Sequence, residues 1–183
     1  ESINHHIAHT SLDGCDLFFE TTSPGHRQIL AEILCERQKR GVNIGLKLRT
    51  GGLTSSHFPS IEQLADGIRL CHLRNIPWKA TAGLHHPLPH DCPQTGATMH
   101  GFLNLILAVV FLEGDLLAGE NLEDLLSDRD AEHFTFTDTN LDWKGITADL
   151  GQMRAGRERF ISFGSCSFAE PIEDLTGLGL LTV

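Results

Sequence analysis

Two lysines and one arginine in this chain sit where amine chemistry can be done. Lys47 lies in Gly-Leu-Lys-Leu-Arg (45–49), among residues that read as a strand. Side chains on a strand alternate between its faces, so Ile44, Leu46 and Leu48 take one face and Lys47 and Arg49 the other. Lys79, in Trp-Lys-Ala-Thr (78–81), holds the matching place on the following strand, with Thr81 on its face. Neighbouring strands lie about 4.8 Å apart, so adjacency would bring Lys47, Arg49 and Lys79 into one space. Three crowded cations disfavour the charged form of an amine. An uncharged lysine can attack a carbonyl carbon and form a Schiff base. The plainer reading is that each lysine ends its strand at the surface or pairs with Glu20.

Other candidates cluster at the ends of the same segments. Arg49, Thr50, Gly51 and Gly52, with Ser55 and Ser56 close behind, offer backbone N–H groups, hydroxyls and a guanidinium to an anion. The alternative is a Gly-rich turn whose hydroxyls cap the next helix. Ser165 and Ser167, in Gly-Ser-Cys-Ser (164–167), could donate to a phosphate or carboxylate, while Cys166 reads as a packed thiol. His85, His86, His90, Cys92 and His100 raise two questions, metal binding and proton transfer. No standard metal spacing is present. His85 and His86 follow the Lys79 strand directly and are the expected acid–base pair. His100 and Asn104 share one face of an apolar helix and read equally well as buried polar residues bonding the loop. His5, His6 and His9 form a short tract with some metal-binding character.

The elements that position these groups alternate. Leu17–Thr21 reads as a strand. A helix follows, opening near Pro24, with Ile29, Leu30, Ile33 and Leu34 as its stripe and Gly41 as its stop. Residues 43–50 form the second strand. Ser60 with Gln63 is a capping box for a second helix. Residues 77–82 form the third strand and residues 85–97 a loop. Residues 98–113 give a buried helix and 121–126 a short one. Residues 134–137 suggest a strand; Ile146, Leu150 and Met153 suggest a helix. Residues 159–165 make the last strand, and residues 173–181 a closing helix or turn. Such alternation implies a parallel sheet with outer helices. Chemistry in such folds sits at the carboxyl ends of the strands.

The order Phe-Phe-Glu-Thr (18–21), Leu-Lys-Leu-Arg-Thr-Gly-Gly (46–52), Trp-Lys-Ala-Thr-Ala-Gly-Leu (78–84) resembles the second half of class I aldolases of the deoxyribose-phosphate aldolase type. That resemblance implies an α/β fold forming half of a TIM-type (β/α)8 barrel. It implies a lyase in which Lys47 is the Schiff-base nucleophile and Lys79 tunes it. Glu20, Arg49, Thr50, Gly51, Gly52, Thr81, Ser165 and Ser167 would bind a small phosphorylated or carboxylated carbonyl compound, without a cofactor. His85 and His86 would move protons. Arg49 stands where the family has a small hydroxyl residue, and the family's first four strands have no counterpart here. The Lys-x-Arg-Thr-Gly-Gly and Lys-Ala-Thr-Ala-Gly-Leu-His-His-Pro stretches also look like those of uncharacterised bacterial proteins.

Two further function classes stay open. One is a metal-dependent hydrolase or lyase built on His85, His86, His90 and His100. The other is a non-catalytic anion-binding or assembly module, in which Lys47 is exposed or paired with Glu20.

Composition sets the outer bounds. The chain has 183 residues, 14 Lys and Arg against 24 Asp and Glu, and a net charge of −10. It therefore lacks the basic stripe that a nucleic-acid backbone demands. The longest apolar run, 102–112, is interrupted by Asn104 and is too short to span a membrane. Five dispersed cysteines with no CxxC pair read as reduced thiols of a cytoplasmic protein. Residues 1–183 are expected to form one α/β domain, a C-terminal fragment of a longer barrel protein, with 87–158 as a helical insertion between the last two strands. Four strands leave two open sheet edges. The expected partners are a small anionic molecule and either a second copy or the missing N-terminal half.

Overall fold

The computed structural model describes residues 15–21, 23–117 and 121–182. The tract of His5, His6 and His9 lies outside them. The chain begins with β1 (Leu17–Glu20), α1 (Pro24–Gln38), β2 (Ile44–Arg49), α2 (Ile61–Leu73) and β3 (Trp78–Thr81). Proline opens α1. Ser60 and Gln63 form a reciprocal capping box at the start of α2, as the sequence predicts. After a long excursion, β9 (Phe160–Phe163) returns to the same sheet. The order is β1-β2-β3-β9, and every pairing is parallel. The protein is thus an α/β protein built on a parallel sheet.

The two faces of this sheet differ. Leu46, Leu48, Trp78, Ala80 and Phe160 lie on the face that packs against Leu30, Leu34, Leu64 and Ile68 of the helices. Trp78 and Phe160 meet with ring centroids 4.4 Å apart. The opposite face carries Glu20, Lys47, Arg49, Lys79 and Thr81. Gly45 belongs to that face as well. A Cβ there would lie 2.3 Å from the Pro77 carbonyl and 2.6 Å from the Phe18 ring, so only glycine lets Phe18 settle across β2.

The excursion corrects two expectations. Residues 85–97 are not simply a loop: β4 (His90–Cys92) and β5 (Ala97–Met99) form an antiparallel hairpin. This hairpin delays the start of α3 to Phe102, giving α3 (Phe102–Glu113), followed by α4 (Asn121–Ser127). The 87–158 stretch is also not wholly helical. β6 (Phe134–Phe136), β7 (Asn140–Trp143) and β8 (Ile146–Asp149) form an antiparallel meander. Ile146 therefore belongs to a strand, and α5 (Leu150–Arg159) begins after it. The turn from β7 to β8 is Lys144-Gly145, with φ of +50° and +83°. Positive φ at both positions matches the twist of a two-residue hairpin.

The final helix, α6 (Ala169–Gly177), starts earlier than the 173–181 expectation. Ser167 Oγ accepts from the Glu170 amide at 3.2 Å and so caps the early start. Among the described residues no helix is long and apolar enough to cross a membrane.

Candidate functional site

Register brings the charged residues together. Glu20 pairs with Lys47, Lys47 with Lys79, and Arg49 with Thr81 across β1, β2 and β3. Lys79 in turn pairs with Ser162 of β9, where a bulge at Trp78/Lys79 shifts the register. Glu20 is the hub. Its Oε2 lies 3.0 Å from Lys47 Nζ and its Oε1 accepts from Arg49 Nε at 2.8 Å. Burial raises the Glu20 carboxyl, but Arg49 and Lys47 outweigh it and hold the group below its usual value. Glu20 is therefore ionised at neutral pH. Lys79 takes a different partner: its Nζ stands 5.2 Å from the centre of the Phe18 ring. A cation over an aromatic face is attracted by the ring quadrupole. The Lys47 side chain is 30% exposed and that of Arg49 38%, so the cluster is reachable from solvent.

Several of the expected anion ligands have other engagements. Thr50 is fully buried. Its hydroxyl lies 2.6 Å from the Ala82 carbonyl and 3.1 Å from that of Thr81, tying the end of β2 to β3. It is a strand tie rather than an open anion donor. Gly51 is required by packing: a Cβ there would lie 2.9 Å from Gly83 Cα. At Gly52 a Cβ would lie 2.6 Å from the His57 side chain. Ser165 Oγ donates to the Ser167 carbonyl at 2.8 Å and accepts from the Ser167 amide at 3.2 Å. These serines shape the turn into α6.

Ala82 carries the turn that leads to the histidines. Its φ is +68°, and Gly83 follows at +75°. An L-residue in the left-handed region costs about 1–2 kcal/mol, part of which glycine's extra chain entropy offsets. Ala82→Gly is therefore expected to stabilise the protein by about 0.5–1 kcal/mol. Urea unfolding checks this: the midpoint should rise with an unchanged slope.

His85 and His86 leave that turn beside α6. His85 Nδ1 lies 3.0 Å from Glu170 Oε2, and His86 Nδ1 contacts Asp174 Oδ2 directly. The His86 and His90 rings meet edge to face, with centroids 3.8 Å apart. Burial first, and His86 second, push His90 below its usual value. No hydrogen bond or ion pair among the described residues joins this histidine group to the Glu20 cluster. Sequence reasoning missed Glu170 and Asp174, whose four-residue spacing on one helix face was the available signal.

His100 and Asn104 follow the buried-polar reading. His100 Nε2 lies 2.9 Å from the Pro59 carbonyl. Burial lowers its basicity, which the Pro59 bond partly opposes. Asn104 Nδ2 donates to the carbonyls of Leu125 and Asp128 at 2.7 and 2.8 Å. Among the described residues no three of His, Cys, Asp and Glu are placed to hold a metal ion. The alternative of a metal centre on His85, His86, His90 and His100 therefore has no ligand geometry there. A cavity of about 520 Å³ beside His100 is lined by Ser55, Phe58, Ser60, Thr98 and Arg129. Lys47, Arg49 and Lys79 do not line it.

Comparison with protein-family models, with curated proteins and with solved structures finds no match. The functional reading therefore rests on the residues and their geometry.

Proposed function

We propose that the polar face of the parallel sheet binds a small phosphorylated or carboxylated carbonyl compound and that Lys47 forms a Schiff base with it, in the manner of a lyase. The observation that carries this reading is the row Glu20–Lys47–Lys79, three direct register partners on adjacent parallel strands. Glu20, ionised and 3.0 Å from Nζ, is placed to take the ammonium proton. The neutral amine then attacks the carbonyl carbon. The carbon–oxygen π pair moves to oxygen, and a proton passes from the nitrogen to that oxygen to give the carbinolamine. Glu20 returns its proton to the hydroxyl, which leaves as water and yields a protonated imine. Lys79 adds positive charge beside that amine, and Arg49 offers a guanidinium to the substrate's anionic group. No cofactor is needed for these steps.

In this reading the sheet is half of a barrel and its polar face is the inside. A second copy, or the other half of a longer protein, would cover the open edges of β1 and β9. Free cysteines at positions 15, 35, 71, 92 and 166 fit a reducing cytoplasm.

A second reading is favoured by the ion pairs themselves. Glu20 ion-paired with both Lys47 and Arg49 is also what a non-catalytic anion-binding or assembly module would show. Reductive trapping separates the two. The protein is incubated with glyceraldehyde 3-phosphate or pyruvate, reduced with borohydride and mapped by mass spectrometry. The lyase reading expects one adduct, on Lys47, that Lys47→Ala abolishes. Absence of an adduct, or equal labelling of K47A, favours the module.

A further inference from the structure

The geometry points to a separate proton-transfer site at the carboxyl end of β3, in which Asp174 and Glu170 of α6 hold His86 and His85 as proton acceptors. The inference does not depend on Lys47 or on Schiff-base chemistry.

It begins with which nitrogen is bonded. In both pairs the ring atom facing the carboxylate is Nδ1. A carboxylate oxygen can only accept, so each Nδ1 must carry the proton. In the neutral ring the lone pair then resides on Nε2. This reverses the ordinary preference of a solvated histidine side chain, which keeps its proton on Nε2. An imidazole with Nδ1–H on a carboxylate and a free Nε2 is the arrangement of a general base. The carboxylate fixes the tautomer and the ring orientation, and it stabilises the imidazolium that forms.

The surroundings fit the task. His85 and His86 are 21% and 34% exposed, so a solute can reach them. The edge of one ring against the other limits how His86 can turn about His90. Glu170 and Asp174 are one helical turn apart, which matches two consecutive residues on the facing loop. Helix α6 itself has no fully buried residue. Its hold on the domain comes from Leu175 packed at the core's edge and from these two pairs.

The substrate class is a compound with a hydroxyl or an acidic C–H beside a carbonyl. In the step, His86 Nε2 takes the proton. The O–H or C–H bond breaks, its electron pair stays on the substrate, and the new N–H bond makes an imidazolium held by Asp174. Asp174 and Glu170 act through the histidines and are positioning residues.

The test is a long-range proton–nitrogen NMR correlation on the ¹⁵N-labelled chain, recorded where the imidazoles are neutral. The expected result is pyrrole-like Nδ1 and pyridine-like Nε2 for both His85 and His86, with exposed His26 as the ordinary reference. Asp174→Ala should return His86 alone to the ordinary tautomer, and Glu170→Ala should return His85 alone. Protonated Nε2 on both neutral rings in the unsubstituted protein would overturn the inference without any variant needing to fold. Tautomers that ignore both substitutions would overturn it as well.

Discussion

Replacing Asp128 with alanine is expected to cost about 2–4 kcal/mol, because a buried acceptor with several partners is lost at once. Asp128 is 9% exposed and gathers four donors. Its Oδ2 lies 2.8 Å from Trp143 Nε1, 2.9 Å from Lys144 Nζ and 2.9 Å from His133 Nδ1. Its Oδ1 accepts from the Asp130 amide at 3.0 Å. Lys144 and His133 can turn to water when the carboxylate goes. The buried indole N–H of Trp143 cannot, and that stranded donor supplies much of the cost. Asp128→Asn keeps an acceptor but removes the charge, and is expected to cost about half as much.

The same group sets an acid limb. Burial raises the Asp128 carboxyl, yet Lys144, the Asp130 amide, Trp143 and His133 together hold it well below the usual carboxylate range. A folded-state value below the unfolded one adds stability that is fully present above about pH 4, the ordinary aspartate value. That stability is lost as pH falls further. Thermal unfolding from pH 7 to pH 3 should therefore show the wild-type advantage over D128N shrinking below about pH 4. An advantage that held constant into acid would contradict the assignment.

The parts of this molecule that were legible in the sequence are those with a strong local period. Alternation over residues 44–49 placed leucines inward and Lys47 and Arg49 outward. Parallel pairing then made Lys47 and Lys79 direct partners. Of the short antiparallel strands, β6 was legible as residues 134–137, while β4, β5, β7 and β8 were not, because three or four residues carry little periodicity. The β7–β8 hairpin did leave a trace. Leu141 and Trp143 alternate inward before Lys144-Gly145, and Ala148 is buried after it, but Lys-Gly is a weaker turn signal than Asn-Gly. Thr50 misled for a different reason. A hydroxyl beside two glycines reads the same whether it faces a ligand or a neighbouring strand, and here Gly51 packs on Gly83 and carries Thr50 inward. Glu170 and Asp174 were missed because their partners lie 85 and 88 residues away. Only the tertiary fold joins them.

Asn104→Leu, which keeps the number and branching of the side-chain heavy atoms, is expected to destabilise the protein by about 1–3 kcal/mol, although it makes an apolar helix more apolar. Asn104 is fully buried on α3. Its Nδ2 donates to the carbonyl of Leu125, which also accepts from the Asp128 amide at 3.3 Å, and to that of Asp128, which the end of α4 leaves open. Leucine would leave the Asp128 carbonyl buried without its side-chain donor, at about 1–3 kcal/mol, and the Leu125 carbonyl with the longer bond from the Asp128 amide. Urea unfolding of N104L measures the loss, and exposed Ser127→Ala, expected to lie within about 0.5 kcal/mol of wild type, is the control. Asn104 holds the main chain of residue 128, while Trp143, Lys144 and His133 hold its side chain. One residue thus fastens the antiparallel meander to α3 from two directions. Once either hold is broken, residue 128 can shift and the other bond is worth less. The double variant N104L/D128A should accordingly fall short of additivity by about 1 kcal/mol or more. Strict additivity would mean that the helix and the meander are anchored separately.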